Sequence, residues 1–357
     1  MKLIHTSDIH IDSPLTARLS SDKIRERRRE LLLSFSHLAA EAKRLGAVGI
    51  IIAGDLFDSE RVSKKALTTA LDVIESTPEL AYFYLFGNHE KRALSESGMA
   101  LPKNLYIFGE DWTHFELGNI LISGRSVCSE NMFDTLRVAH GKRNIVVLHG
   151  ELRDNSAYPD VIGKKDAAGR GIDYLALGHY HSYSENRLDR KTVAVYSGTP
   201  EGRGFDEVGK KGFVLLDTDG DAIKHTFVSS AKRQLHRIEV DITGAERPSE
   251  IEQRCHAALA DLPSSDLVRL ELIGSYQPNL FKDAESIRRT FADRYYFFEV
   301  KDLSKIEINP QAYKNDKSLK GEFIRLVSSD PALTNEEKQR IIGAGLYALM
   351  GEEYYID

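Results

Sequence analysis

The sequence predicts an α/β fold in which two mixed sheets pack together between flanking helices, followed by a smaller α/β domain and a helical C-terminal tail. Three observations carry this. Strand and helix patterns alternate through the first hundred or so residues, strand patterns dominate from Leu105, and a second, shorter alternation starts after Gln234.

In the first part, KLIHTSD reads as a short strand. The stretch from Asp22 to Leu45 carries Leu31, Leu32, Phe35, Leu38 and Ala42 at helical spacing. VGIIIAG is a continuous apolar run, as a strand buried on both faces requires. Lys64 to Glu75 is helical again, and Leu80 to Phe86 is the next strand. Three strands joined by two helices make a βαβαβ unit with a parallel sheet. From Leu105 the runs NLYIFG, NILISGRS, NIVVLHG, IDYLALGHY, TVAVYSG, KGFVLLD and AIKHTFV are punctuated by Gly and Asp, as turns demand. Together they suggest two packed sheets flanked by helices.

The composition shifts near Ser229–Arg233. QLHRIEVDI, a helix from Ser249 to Leu262, VRLELIG, a helix from Ala284 to Arg294 and YYFFEVKD make the smaller unit. Two tail helices follow, SLKGEFIRLV and NEEKQRIIGAGLYALMG, the second opened by the capping-box pattern Thr334-Asn-Glu-Glu337. The expected domains are residues 1–232, 233–303 and 304–357.

Of 357 residues, 41% are hydrophobic and 29% charged, which excludes a mostly disordered chain. A formal net charge of −6 does not fit a nucleic-acid coat or a basic arm, although a nuclease needs only a positive contact face. Cys128 and Cys255 stand far apart in no metal-binding spacing and read as thiols in a reducing compartment. MKLIHTSDIH is a strand with polar residues rather than a signal peptide, and no apolar run would span a bilayer. The expectation is a cytoplasmic protein with no membrane association.

Five segments each end a predicted strand and carry metal-capable side chains into the next loop. They are Asp8-Ile-His10, Gly54-Asp55-Leu-Phe-Asp58, Gly87-Asn88-His89-Glu90, His149-Gly150 and Gly178-His179-Tyr-His181. Loops at the carboxyl ends of strands in α/β sheets converge on one crevice. Carboxylates can bridge two cations, neutral imidazoles complete their shells, and an Asn carbonyl adds a ligand without charge. Each piece alone has a plainer reading: Asp8 as a cap, GDLFD and GNHE as turns, His149 as a satisfied core histidine. His179 and His181, two apart, point the same way on an extended chain. The joint occurrence, always at strand ends, points to a dinuclear hydrolytic centre. Two cations roughly 3.5–4 Å apart can lower the pKa of an attacking water and hold phosphate oxygens.

In this order, DxH, GDxxD, GNHE, H and GHxH resemble the calcineurin-like metallophosphoesterase superfamily. The chain is similar in particular to its DNA-repair exonuclease branch, of the SbcD and YhaO type. Tyr196-Ser-Gly-Thr-Pro-Glu-Gly-Arg-Gly-Phe-Asp-Glu207, then Lys211-Gly212, resembles the segment after the family's last histidine pair. The unit after Gln234 resembles its α/β capping domain, and Ser318-Leu-Lys-Gly-Glu-Phe-Ile-Arg325 resembles the helical tail of YhaO-like chains.

The resemblance implies the calcineurin-like sandwich and a metal-dependent DNA phosphodiesterase, an exonuclease or endonuclease subunit. It implies one divalent ion held by Asp8, His10, Asp55 and His181, and a second by Asp55, Asn88, His149 and His179, with Asp55 bridging. His89 would assist at the scissile phosphate without holding a metal. Mn²⁺ is the usual metal of that branch; the ligand types also suit Fe²⁺ or Zn²⁺. The implied partners are DNA, an SMC-like coiled-coil ATPase of the SbcC or YhaN type, and in many members a second copy of the chain. Two positions depart from the family pattern. Glu90 stands where many members carry Asp, and Asp58 where some carry a histidine linked to exonuclease action on duplex DNA.

Basic residues follow several motifs: Arg61, Lys64 and Lys65, then Lys91 and Arg92, then Arg203. Around the mouth of a site they would meet phosphates; interspersed with Asp58, Glu60 and Glu90 they would equally make a mixed solvated surface. Arg25, Arg27, Arg28 and Arg29 read as the wet side of an amphipathic helix. Of Tyr295, Tyr296, Phe297 and Phe298, alternation puts half in a core. The tail residues Phe323, Leu326, Ile341, Ile342, Leu346 and Leu349 either pack on the smaller unit or form an apolar groove for a partner's helices. The alternative function is a metallophosphoesterase acting on small-molecule or protein phosphoesters. A non-catalytic binding module is a third reading, and a complete ligand set weighs against it.

Overall fold

Alternate residues of the central strands face two different cores, which explains their unbroken apolar runs. In β2 (Ala47–Ala53), Ile50 and Ile52 pack toward the helices while Ile51 and Ala53 pack into the interior between two sheets. In β3 (Ala81–Leu85), Tyr82 and Tyr84 divide from Phe83 and Leu85 in the same way. The computed structural model describes the chain apart from residues 16–18, 59–61, 88–89, 91–97, 130, 156–159, 278–279, 281, 308–312 and 351–357.

The chain divides into two compact units, Met1–Leu235 and His236–Asp357. In the first, β1 is Lys2–Thr6 and β4 is Leu105–Ile107; β5 is Thr113–Leu117, β6 Ile120–Gly124 and β7 Arg143–His149. Two short strands, β8 (Glu151–Arg153) and β9 (Val161–Gly163), pair with each other. Then come β10 (Tyr174–Gly178), β11 (Ser184–Arg187), β12 (Val193–Tyr196), β13 (Gly212–Asp217) and β14 (Lys224–Ser229).

One six-stranded sheet has the order β14-β13-β1-β2-β3-β4, the other β11-β12-β10-β7-β6-β5. Both are mixed. β1 to β4 run parallel, with β13 antiparallel to β1; β12, β10, β7 and β6 run parallel, with antiparallel strands β11 and β5 at the edges. Leu3, Ile51, Phe83, Ile145, Val147, Tyr174 and Val195 share the core between the sheets. The opposite faces pack on α1 (Ser21–Leu45) and α2 (Lys64–Glu75), and on a cluster around Met132, Phe133 and Ile172.

α1 ends on Gly46, whose φ of 72° lets it close the helix in the left-handed conformation. Arg27 of α1 departs from the expected wet side. Its side chain is 1% exposed, because its guanidinium meets Glu30 and Glu201 and donates to Gly202 O at 2.8 Å. β11 carries no clear sequence signal, since it is an edge strand with polar or charged residues in both registers, and β5 is a five-residue edge strand whose Phe115 and Leu117 are only partly buried on the inter-sheet core.

In the second unit, β15 (Leu235–Asp241), β16 (Leu267–Ile273) and β18 (Phe297–Asp302) form a three-stranded sheet. β17 (Ser275–Tyr276) and β19 (Lys305–Ile306) make a small parallel pair. The short helix α3 (Lys164–Ala167) belongs to the first unit; α4 (Pro248–Ala258), α5 (Ala284–Phe291), α6 (Leu319–Ser329) and α7 (Asn335–Met350) belong to the second. α4 stops short of the expected Leu262, and Ala292–Arg294 form a 3₁₀ turn rather than the end of α5. The α7 capping box is reciprocal: Glu337 N donates to Thr334 Oγ1 and Thr334 N to Glu337 Oε2.

Ile324, Val327, Ile342 and Leu346 of the tail helices share one core with Leu270, Leu272 and Ile287, and Phe323 packs against it. Leu326 and Ile341 are exposed. Tyr295 and Phe298 are buried, Tyr296 and Phe297 only partly. Cys128 and Cys255 are buried thiols, one in each unit. Among the described residues, no helix is long and apolar enough to cross a membrane.

Candidate metal centre

The parallel strands β1, β2 and β3 of one sheet and β7 and β10 of the other all deliver their carboxyl ends to the candidate residues. Beyond the strands, the loops stay zipped: Asp8 N donates to Gly54 O at 3.0 Å, His10 N to Asp55 O at 3.1 Å and Ile11 N to Leu56 O at 3.0 Å. Asp8, His10, Asp55 and His179 have φ of 51°, 47°, 51° and 117°. Left-handed backbone at non-glycine residues is uncommon and costs energy, and it gathers where surrounding structure enforces a functional geometry.

Among the described residues two groups of ligand atoms result, each with all its atoms within 4.8 Å of one another: Asp8, His10 and His181, and Asp8, Asp55 and His149. Asp55 Oδ2 lies 3.4 Å from His149 Nε2 and 3.8 Å from His10 Nε2, and Asp8 Oδ1 lies 3.8 Å from His181 Nε2. Buried polar atoms need partners. Yet His10 Nε2, His149 Nε2 and Asp55 Oδ1 are buried with no hydrogen-bond partner among the described residues. Carboxylate oxygens and imidazole nitrogens left open side by side fit a divalent cation's donor set.

Outer contacts fix which imidazole nitrogen faces the centre. His149 Nδ1 lies 2.9 Å from Ala53 O and His181 Nδ1 2.6 Å from Glu207 Oε1, so each Nδ1 carries the proton and leaves Nε2 with a lone pair. His10 Nδ1 stands 3.1 Å from Asp58 Oδ1. The Asp8 carboxylate accepts from Ser7 Oγ and, at 3.1 Å to each oxygen, from His179 N. His179 is in neither group of ligand atoms and reaches Asp8 through its backbone N–H. Its ring lies edge-on to His149, with centroids 5.6 Å apart, while His181 reaches Asp8.

Arg203 does not face outward toward a substrate phosphate, as its place after a motif suggests; its donors are directed inward. Nη1 donates to Asp58 Oδ1 at 3.0 Å and Ser13 Oγ at 2.9 Å, while Nε and Nη2 donate to Glu207 Oε1. One guanidinium therefore braces the carboxylates behind both His10 and His181. The His10 contact, opposed by burial and helped by Ser13 and Arg203, holds the Asp58 carboxyl down at about 2. Burial pushes Glu207 up, but His181 and Arg203 outweigh it and hold that carboxyl at about 2 as well. Lys211 Nζ donates to His181 O at 2.6 Å and anchors the same segment.

Glu90 is fully buried and accepts from the backbone N–H groups of Leu56 (3.2 Å), Phe57 (2.7 Å) and Gly87 (3.2 Å). Burial and the charge of Asp55 raise its pKa to about 7. Gly87 is required by space: a Cβ there would stand 1.8 Å from Asp55 Oδ1. Sequence reasoning assigns no role to Glu207 or Lys211. Their signal in the sequence is their place in the Gly-rich segment that resembles the family's after its last histidine pair. Asn88, His89, Arg61, Lys91 and Arg92 lie outside the described residues, and Lys64 is exposed in the first turn of α2.

Two mixed sheets with carboxylates and histidines gathered at their strand ends are the plan of a metallophosphoesterase. The chain belongs to the calcineurin-like phosphoesterase family, whose sequence model matches residues 1–183. It is 25% identical over 295 residues to the uncharacterized metallophosphoesterase YhaO of Bacillus subtilis, covering 77% of this chain and 72% of that one. It is 26% identical to the DNA double-strand break repair protein Mre11 of Methanopyrus kandleri, over 71% of this chain and 62% of that protein. It is 27% identical to the SbcD component of the nuclease SbcCD of Staphylococcus epidermidis, over 68% and 73% of the two chains. The chain spans 46% of the Mre11 protein of Methanosarcina acetivorans.

Proposed function

We propose that this chain is a metal-dependent DNA phosphodiesterase, the nuclease component of an SbcCD-like repair complex. The observation that carries the hydrolytic part is the set of buried atoms without a partner among the described residues, His10 Nε2, His149 Nε2 and Asp55 Oδ1, in two ligand groups that share Asp8. The DNA substrate is supported by likeness to repair nucleases at low identity.

Asp8, His10, Asp55 and His181 would hold one divalent ion, and Asp55, Asn88, His149 and His179 the other, with Mn²⁺ the expected metal. Such a pair of ions supplies a water of lowered pKa and charge stabilisation for the phosphoryl oxygens. The chain's own part is to keep the ligands aimed. Glu207 and the Ala53 carbonyl fix the protonated face of His181 and His149, Asp58 lies against His10, and the N–H of His179 sets the rotation of Asp8. His89 assists at the scissile phosphate. The exposed Leu326 and Ile341 on the tail helices are offered to the coiled-coil ATPase partner.

The test is cleavage of linear duplex and single-stranded DNA with Mn²⁺, beside a small diester and a monoester. DNA cleavage is expected. Rapid turnover of the small esters with intact DNA, even with the ATPase partner present, overturns the DNA reading in favour of a small-molecule phosphoesterase. His89→Ala should keep bound Mn²⁺ and lose most turnover; lost metal would make His89 a ligand.

A further inference from the structure

The arginines of α1 do not all serve one purpose. Arg27 turns inward to Glu30 and Glu201, while Arg28 and Arg29 line a cavity of about 740 Å³ between α1 and α2. Lys65 of α2 and Arg25 line it as well. Arg25 is paired with Asp22. Among the described residues, Arg28, Arg29 and Lys65 have no carboxylate within ion-pair distance, in a chain of net charge −6. Positive charge left unbalanced around one concavity of an acidic protein is an arrangement for a polyanion.

The cavity adjoins the metal centre through a shared wall. Ser13, two residues beyond Ile11, lines it, and its Oγ accepts from Arg203, which braces the ligand histidines. The carboxylate of Asp12, also in the wall, is used by the backbone N–H groups of Asp58 and Ser63, so it is held by neighbours on the protein. Ile11, Leu32 and Leu33 give the cavity an apolar lining. Cations around an apolar floor match a nucleic-acid strand, whose phosphates take the charges and whose sugars and bases take the floor.

We infer that this cavity is a second phosphate-binding subsite. It holds the DNA strand beyond the scissile bond, with Arg28, Arg29 and Lys65 on backbone phosphates. The inference rests on the proposed DNA substrate and adds where the strand runs. It also supplies the phosphate contacts that Arg203, committed to Asp58 and Glu207, does not.

The experiment uses the full chain with Ca²⁺ in place of Mn²⁺ to suppress cutting, and follows the anisotropy of a labelled single-stranded oligodeoxynucleotide against salt. Arg28→Gln with Arg29→Gln should weaken binding about tenfold or more at low salt. It should reduce the slope of log K against log salt by about 1.4, the counterion release of two phosphates on a single strand. Turnover of bis(p-nitrophenyl) phosphate with Mn²⁺, a diester too short to reach the cavity, should be unchanged. Unchanged affinity and slope overturn the subsite. So does a shift of oligomeric state in the double variant, which would assign the cavity to a second copy of the chain. Lys65→Gln on the other helix is the second variant and should weaken binding in the same way; loss of small-diester turnover in both variants overturns the subsite in favour of a structural role. If the unaltered chain turns over the small diester yet binds no DNA, the proposed substrate itself has failed.

Discussion

His181 Nδ1 and Glu207 Oε1 lie 2.6 Å apart, across 26 residues of sequence. This contact decides which nitrogen of the ring faces Asp8. Glu207→Gln replaces a charged acceptor with an amide that can present its N–H₂ to the ring. Mn²⁺ affinity at the site holding His181 should fall by roughly 10–100-fold, the usual effect of losing such an orienting partner. A Mn²⁺ titration followed by electron paramagnetic resonance reads it directly. An unchanged isotherm would make Glu207 a structural residue only.

Gly87 leaves space for the Asp55 carboxylate. Gly87→Ala would place a Cβ 1.8 Å from Asp55 Oδ1 and 2.7 Å from Asp55 N, so the carboxylate or its loop must move. We expect loss of the two-ion stoichiometry and of small-diester turnover. Two bound Mn²⁺ per chain in this variant would show that the loop relaxes freely.

Glu90 is the acceptor for three buried backbone donors. Glu90→Ala should destabilise the first unit by about 3 kcal/mol or more, at roughly 1–3 kcal/mol per orphaned donor. Urea unfolding monitored in the metal-free chain checks this. A loss below about 1 kcal/mol would mean that water replaces the carboxylate at little cost.

His5, which is not itself a candidate ligand, gives a further pH dependence. It lies with Tyr174 between the sheets, both fully buried, with Nδ1 2.9 Å from the phenol oxygen. Burial pushes its pKa down to about 3, against the raising effect of the Leu177 backbone and Asp8 and with the lowering effect of His225. In the unfolded chain it titrates near 6.5. Above that pH both states are neutral there. Below it the unfolded state binds a proton that the folded state refuses, so stability falls as pH drops from about 6.5 toward 3, by up to about 1.4 kcal/mol per unit. Between about pH 6.5 and 5 the unaltered chain should therefore lose about 1.6 kcal/mol more than His5→Gln. Parallel stability curves for the two chains would remove His5 as the cause.

The candidate centre is legible in the sequence because five segments with metal-capable side chains recur together at strand ends, although each alone has a plainer reading. Asp8, His10, Asp55, His149 and His181 come together because parallel strands of both sheets end on one side. The support behind them is not legible. Arg203 looks in sequence like any cation after a motif; only the fold shows two carboxylates meeting its guanidinium. Arg27 likewise reads as helix surface until Glu201, far along the chain, is brought against it. Edge strand β11 is hidden for a different reason: half-solvated backbone needs no apolar pattern to pair. The centre is encoded by side-chain chemistry, its scaffolding by contacts between distant segments.

The two buried thiols give the molecule a clock in each half. Cys128 and Cys255 sit in different units, and neither is accessible while its unit is closed. A thiol reagent added to the native chain therefore labels at two rates, each timing the opening of one unit. Cys128 Sγ lies 3.5 Å from the carbonyl of His149, next to the metal centre, so bound Mn²⁺ should slow its clock and leave that of Cys255 running as before.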